Sequence, residues 1–163
     1  MPMFDMITDE QIDLLETVEM FFVASVAPDL SRGRVGQGPV NVSPKGGKLL
    51  VVDRHTVAYL DHSGSGNETA RHGNAGGPIT VMAMSFSDDA AIVRLYGTAS
   101  ATSIEECSFA DQIPDQNLAL PRRQVITMSV TATQTSCGYG VPRHEFIANR
   151  SGEQRGRRFK GQS

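Results

Sequence analysis

Seven short apolar, β-branched stretches, each cut off by glycine, proline or a polar cluster, restrict this chain more than any other feature. They fall at 21–26, 40–43, 49–52, 56–61, 79–86, 92–102 and 125–133. Val, Ile, Thr, Phe and Tyr suit a half-buried pleated surface, and runs this short fit strands better than helices. Many such strands at close intervals predict a mainly β protein, an antiparallel barrel or sandwich. The link Asp53-Arg54-His55 suits a hairpin, whereas the Gly/Pro-rich stretch 28–39 predicts a turn or a long hairpin tip.

Helices are few. Thr8 can cap a first one, with Gln11 returning the hydrogen bond in a capping box. Ile12, Leu15, Val18 and Phe22 then recur at helical spacing, with Asp13, Glu16 and Glu19 opposite. Residues 67–74 predict one or two helical turns before Gly73, Gly76, Gly77 and Pro78 stop them. Ser103 and Glu106 predict another helix start. The organisation expected is one domain over residues 1–147 and a basic C-terminal tail over 148–163.

The charges narrow the partners. Arg150, Arg155, Arg157, Arg158 and Lys160 put five of the fifteen bases in the tail, opposed by Glu153. No aromatic-rich or Lys-rich element accompanies them, so a solvated tail, or one closing over a cofactor phosphate, is expected rather than a nucleic-acid surface. No apolar run approaches the roughly 20 residues of a membrane span. Seven acids precede the first base, Arg32, the reverse of a secretory or mitochondrial leader, so a cytoplasmic protein is expected. Cys107 and Cys137 lack CxxC spacing, and reduced thiols are the expectation. The histidines, His55, His62, His72 and His144, lack the spacing of a metal site, and none is expected. Cys137 becomes a nucleophile only if His62, His72 or His144 stands beside it.

Three polar segments carry the chemistry. They are Asn41-Val42-Ser43-Pro44-Lys45-Gly46, Ser63-Gly64-Ser65-Gly66-Asn67-Glu68-Thr69 and Ser136-Cys137-Gly138-Tyr139-Gly140-Val141-Pro142. Each ends an apolar run, so a strand delivers it to a rim. Hydroxyls, amides, one lysine and glycines that expose backbone N–H groups are what a bound phosphate needs. The blander reading of each is a plain turn. The 63–66 loop lacks the G-K-[ST] ending of a Walker loop.

These segments, with the strands between them, resemble a known family. The order N-x-S-P-K-G at 41–46, V-A-Y-L-D-x-S-G-S-G-N-E-T-A-x-H at 57–72, I-V-R-L-Y-G at 92–97 and Q-T-S-C-G-Y-G-V-P at 134–142 is similar to the pyridoxamine 5′-phosphate oxidase-like family of FMN-binding split β-barrels. The resemblance implies a six-stranded antiparallel Greek-key barrel with flanking helices, paired as a homodimer with FMN at the interface. It places Asn41, Ser43, Pro44, Lys45 and Gly46 beneath the ribityl-phosphate. Ser65, Gly66, Asn67 and Thr69 then close around the phosphate, aided by a helix N-terminus, and Cys137 and Tyr139 approach the ring from the partner subunit or the same one. Arg94 either pairs with a core carboxylate or reaches the site. No catalytic side chain is marked.

The chain also departs from that pattern. True oxidases of the family place bases in the phosphate loop, whereas here none follows until Arg71. Glu68 adds a negative charge, so its side chain is expected to point away from the phosphate. The segment Gly73-Asn74-Ala75-Gly76-Gly77-Pro78 weakens the helix by about 1 kcal/mol per interior glycine. The arginine and histidine pattern of vitamin B6 oxidation is missing. Three functions stay open: an FMN oxidoreductase acting on a small molecule, a deazaflavin-dependent reductase, and a non-catalytic flavin- or haem-binding barrel.

Overall fold

The computed structural model describes residues 2–30, 38–64, 66–115 and 120–151. Their elements are β1 (Met3–Phe4), α1 (Asp9–Thr17), β2 (Met20–Val26), β3 (Val40–Gly46), β4 (Leu50–Asp53), β5 (Thr56–His62), α2 (Glu68–Asn74), β6 (Pro78–Met84), β7 (Ala91–Thr102) and β8 (Arg122–Cys137). All seven runs expected to be strands are strands. The resemblance implied six; the described sheet has eight, of which β1 and β4 are only two and four residues long.

Neighbouring strands run in the order β3-β2-β6-β7-β8-β5-β4, with β1 added to β8, and every pairing is antiparallel. Connectivity forces this sheet to curl. Laid flat, seven strands would hold β3 and β4 roughly 29 Å apart. Yet only Gly47, Lys48 and Leu49 join them, a link that reaches at most roughly 14 Å. The two edges must therefore meet, and the sheet rolls into a barrel.

The seam is incomplete. β4 pairs with β5 only as far as Ala58, so the rest of β5, from Tyr59 to His62, has no ladder on that side. β3 lies across the gap, tied to β5 by side chains: Lys45 Nζ stands 3.3 Å from Asp61 Oδ1.

Phe21, Val23, Val81, Val93, Leu95, Ile126, Met128 and Leu15 fill the interior. β5 reads as a continuous apolar run because both its faces are covered. Val57 and Tyr59 enter the main core, whereas Ala58 and Leu60 meet Ala110, Ile113 and Val125. That second cluster explains a difference from expectation. Glu106 N–H donates to Ser103 Oγ as a cap requires, while the Ser103 hydroxyl donates to the Glu106 carboxylate; a turn follows instead of a helix, and a single 3-10 turn at Ala110–Gln112 brings Ala110 and Ile113 onto β5.

The Thr8–Gln11 capping box is present in full, and Gln11 also donates to Thr135 Oγ1 at 3.0 Å. The helix stops at Thr17, so Phe22 belongs to β2, where Phe21 faces the core instead. The ends of the expected long hairpin close through Ala27 N–H to Pro39 O at 2.7 Å. Residues 31–37, and residues 152–163 of the expected tail, lie outside the described residues. No helix among the described residues is long and apolar enough to cross a membrane.

Candidate functional site

The gap in the seam is a cleft of about 300 Å³. Strand periodicity selects what faces it. Along β3, Asn41, Ser43 and Lys45 are partly covered and turn inward, while Val40, Val42 and Gly46 alternate with them on the exposed face. Opposite stand Asp61 and His62 from the end of β5, Gly66, Asn67, Glu68 and Thr69 around the start of α2, and Arg123 from β8. The first two polar segments of the sequence thus meet, although more than 20 positions separate Asn41 from Thr69, whose side chains lie 3.4 Å apart.

Asp61 organises the floor. Its side chain is 7% exposed; one oxygen takes Lys45 and the other takes Arg123 Nε at 3.0 Å, Arg123 Nη2 at 2.7 Å and Gln124 Nε2 at 2.8 Å. Burial pushes the carboxyl up, but the hydrogen bonds from Gln124 and Arg123 and the charges of Lys45 and Arg123 outweigh it. The carboxyl ends below its ordinary value and stays ionised. Arg123 Nη2 also donates to Gly66 O at 2.9 Å, and Gln124 Nε2 to Asn67 Oδ1 at 2.7 Å, which ties the glycine loop to β8.

Beneath Lys45 lies Tyr59, its ring centroid 5.7 Å from Nζ and 5.3 Å edge-to-face from Phe21. Its hydroxyl is buried and makes no hydrogen bond, at a cost of about 1–3 kcal/mol. Burial first, then the neighbouring Asp61 charge, raises the phenol far above its ordinary range; Thr69 and Arg123 oppose this without cancelling it. Tyr59 therefore stays neutral.

Of the residues expected to bind a cofactor, Asn41, Ser43, Pro44, Lys45, Gly66, Asn67 and Thr69 line this cleft. Ser65 lies outside the described residues. Gly46 is at the far end of β3, away from the lining. Cys137 and Tyr139 sit at the opposite end of the 16-residue β8 from Arg123, where Tyr139 is 92% exposed and its N–H meets Cys137 Sγ at 3.4 Å. Among the described residues Arg94 reaches neither the cleft nor a carboxylate; its guanidinium donates to Ser136 Oγ at 2.9 Å.

The histidines have other partners than Cys137. His62 bonds Asp115 at 3.1 Å, His72 is buried against Ser25 Oγ at 2.9 Å, and His144 packs edge-on against Phe86.

Two features were missed in the sequence. Arg123 supplies the base that the phosphate loop lacks, yet it arrives from 62 positions beyond Asp61. Glu68 does not point away: it lines the cleft with its carboxylate folded over Gly66.

Solved structures share this architecture. HupZ from Group A Streptococcus matches with a TM-score of 0.55 at 20% identity, over 77% of this chain and 90% of its own. An FAD binding protein from Mycobacterium smegmatis matches with a TM-score of 0.53 at 14% identity, over 81% of this chain and 98% of its own. Fold and cleft together define an antiparallel split-barrel protein with a polar groove in its seam. No family model matches the chain. In sequence it is 36% identical over 148 residues to the pyridoxamine 5′-phosphate oxidase family protein ustO of Aspergillus flavus, covering 87% of this chain and 57% of that protein. The chain thus spans little more than half the length of that relative. It is a relative of the pyridoxamine 5′-phosphate oxidase family proteins, as its motifs imply.

Proposed function

We propose that this protein binds a flavin nucleotide through the seam cleft and works as a flavin-dependent oxidoreductase on a small molecule. The observation that carries this reading is the convergence of Lys45, Arg123, Ser43, Asn67 and Thr69 on one groove. Such donors hold a phosphate by charge-assisted hydrogen bonds. A volume of about 300 Å³ suits a phosphate and part of a ribityl chain, at the small end of ligand pockets. The isoalloxazine ring must then lie beyond the groove, against another apolar surface.

A second copy of the chain offers that surface. Val40 and Val42, each 64% exposed, leave an apolar surface on β3, and Val42 also borders the cleft. Among the described residues no strand pairs with the free edge of β3. A homodimer covers this face, and a partner's Cys137 and Tyr139 loop can then reach a ring that the same chain's loop cannot. FMN is the cofactor implied by the motifs, and an FAD binding protein shares the fold. When bound, the flavin supplies hydride or electron transfer; the chain's own groups bind, orient and exclude water. Neither nucleic acid nor membrane is needed, and a cytoplasmic setting suits the reduced cysteines.

The decisive experiment is an absorption spectrum of the purified full chain with a mass measurement of whatever heating releases. Flavin bands and a flavin mass are expected. A deazaflavin or haem spectrum replaces the cofactor in this reading, and a colourless protein that takes up none of the three overturns it.

A further inference from the structure

The charges of the cleft do not suit a dianion. Besides His62, whose ring is engaged by Asp115, its described lining carries two cations, Lys45 and Arg123, and two carboxylates, Asp61 and Glu68. Asp61 already engages both cations. Glu68 has no such engagement. Its side chain is 18% exposed, and Arg71 Nη2, on a half-exposed side chain, stands 3.8 Å away, a screened pair of little worth. The carboxylate instead covers Gly66 so closely that a β-carbon there would collide with it. Glycine at 66 thus makes room for an acid inside the groove.

We propose that Glu68 is a charge filter: it weakens the cleft's hold on dianionic phosphomonoesters relative to ligands that present one negative charge at this point. This rests on the flavin-nucleotide reading above and deepens it. A phosphomonoester carries about −1.5 to −2 charge near neutral pH, whereas a phosphodiester group carries one. With Asp61 balancing one cation, the remaining positive charge matches a single anion, and Glu68 opposes even that. FMN presents a monoester to the groove, riboflavin 4′,5′-cyclic phosphate a diester of one charge, and riboflavin no phosphate.

The test compares the binding of these three flavins by the full wild-type chain, Glu68→Gln and Glu68→Asp, using quenching of flavin fluorescence. Wild type is expected to bind the cyclic phosphate more tightly than FMN. Glu68→Gln is expected to tighten FMN about tenfold, the scale of one like charge removed from a partly screened groove, to tighten the cyclic phosphate less, and to leave riboflavin unchanged. Glu68→Asp keeps the charge and is expected to keep the preference for the cyclic phosphate. FMN affinity that stays the same or falls in Glu68→Gln, while riboflavin binds equally to both forms, overturns the filter and leaves the flavin function standing. If no form binds any flavin, the proposed function falls, and the filter with it.

Discussion

Asp61 holds the two cations of the cleft in place, so its charge state governs both stability and binding. Its folded-state carboxyl lies below the ordinary value of 3.8. A depressed carboxylate contributes stability that is complete above the unfolded value and is lost as pH falls through the folded one. The melting-temperature difference between wild type and Asp61→Asn should therefore be large at pH 7 and shrink below about pH 4. A difference independent of pH would mean that the ion pairs contribute nothing. At Lys45, truncation to alanine should weaken FMN binding by about 1.5–3 kcal/mol while leaving riboflavin unaffected. Equal losses for both flavins would place Lys45 under the ring instead of at the phosphate. Cys137→Ser should change neither fold nor flavin binding, because the thiol is exposed and meets only the Tyr139 N–H. Loss of turnover with flavin retained would reveal thiol chemistry.

The elements divide according to how local their causes are. α1 is legible because its capping box spans four residues, Thr8 to Gln11, and any reader of the chain meets both at once. β3 is legible because period-two alternation alone turns Asn41, Ser43 and Lys45 to one side. α2 is harder. Helix propensity makes Gly73 look like a weakness, yet a β-carbon there would stand 2.6 Å from Ala99 O of β7. Propensity favours Gly73→Ala by about 1 kcal/mol. The backbone clash should win, for a net loss of about 1–3 kcal/mol in urea denaturation. A stabilised variant would show that α2 can shift away from β7. Arg123 was illegible for a related reason. Its bond to Asp61 depends on the β5–β8 register, and no spacing in the sequence reports which of β8's basic residues, Arg122 or Arg123, turns toward the cleft.

At the scale of the molecule, the strand content was readable from the residues, which left barrel and sandwich open; the barrel came from the family resemblance, since closure depends on which strands become neighbours. What the roll leaves outside also matters. Val40 and Val42 lie on an edge strand, a surface that proteins normally cover or charge. Val40→Glu should convert the proposed dimer to a monomer in light scattering and lower flavin affinity together. A monomeric wild type would remove the shared site.

The seam has one further consequence. Because side chains alone fasten β3 to β5, the barrel has a natural place to gape, and an anion seated between Lys45 and Arg123 would act as a clasp. Backbone amides of β3 should then exchange with deuterium more slowly once the cleft is filled, while those of β7, zipped on both sides, keep their rates.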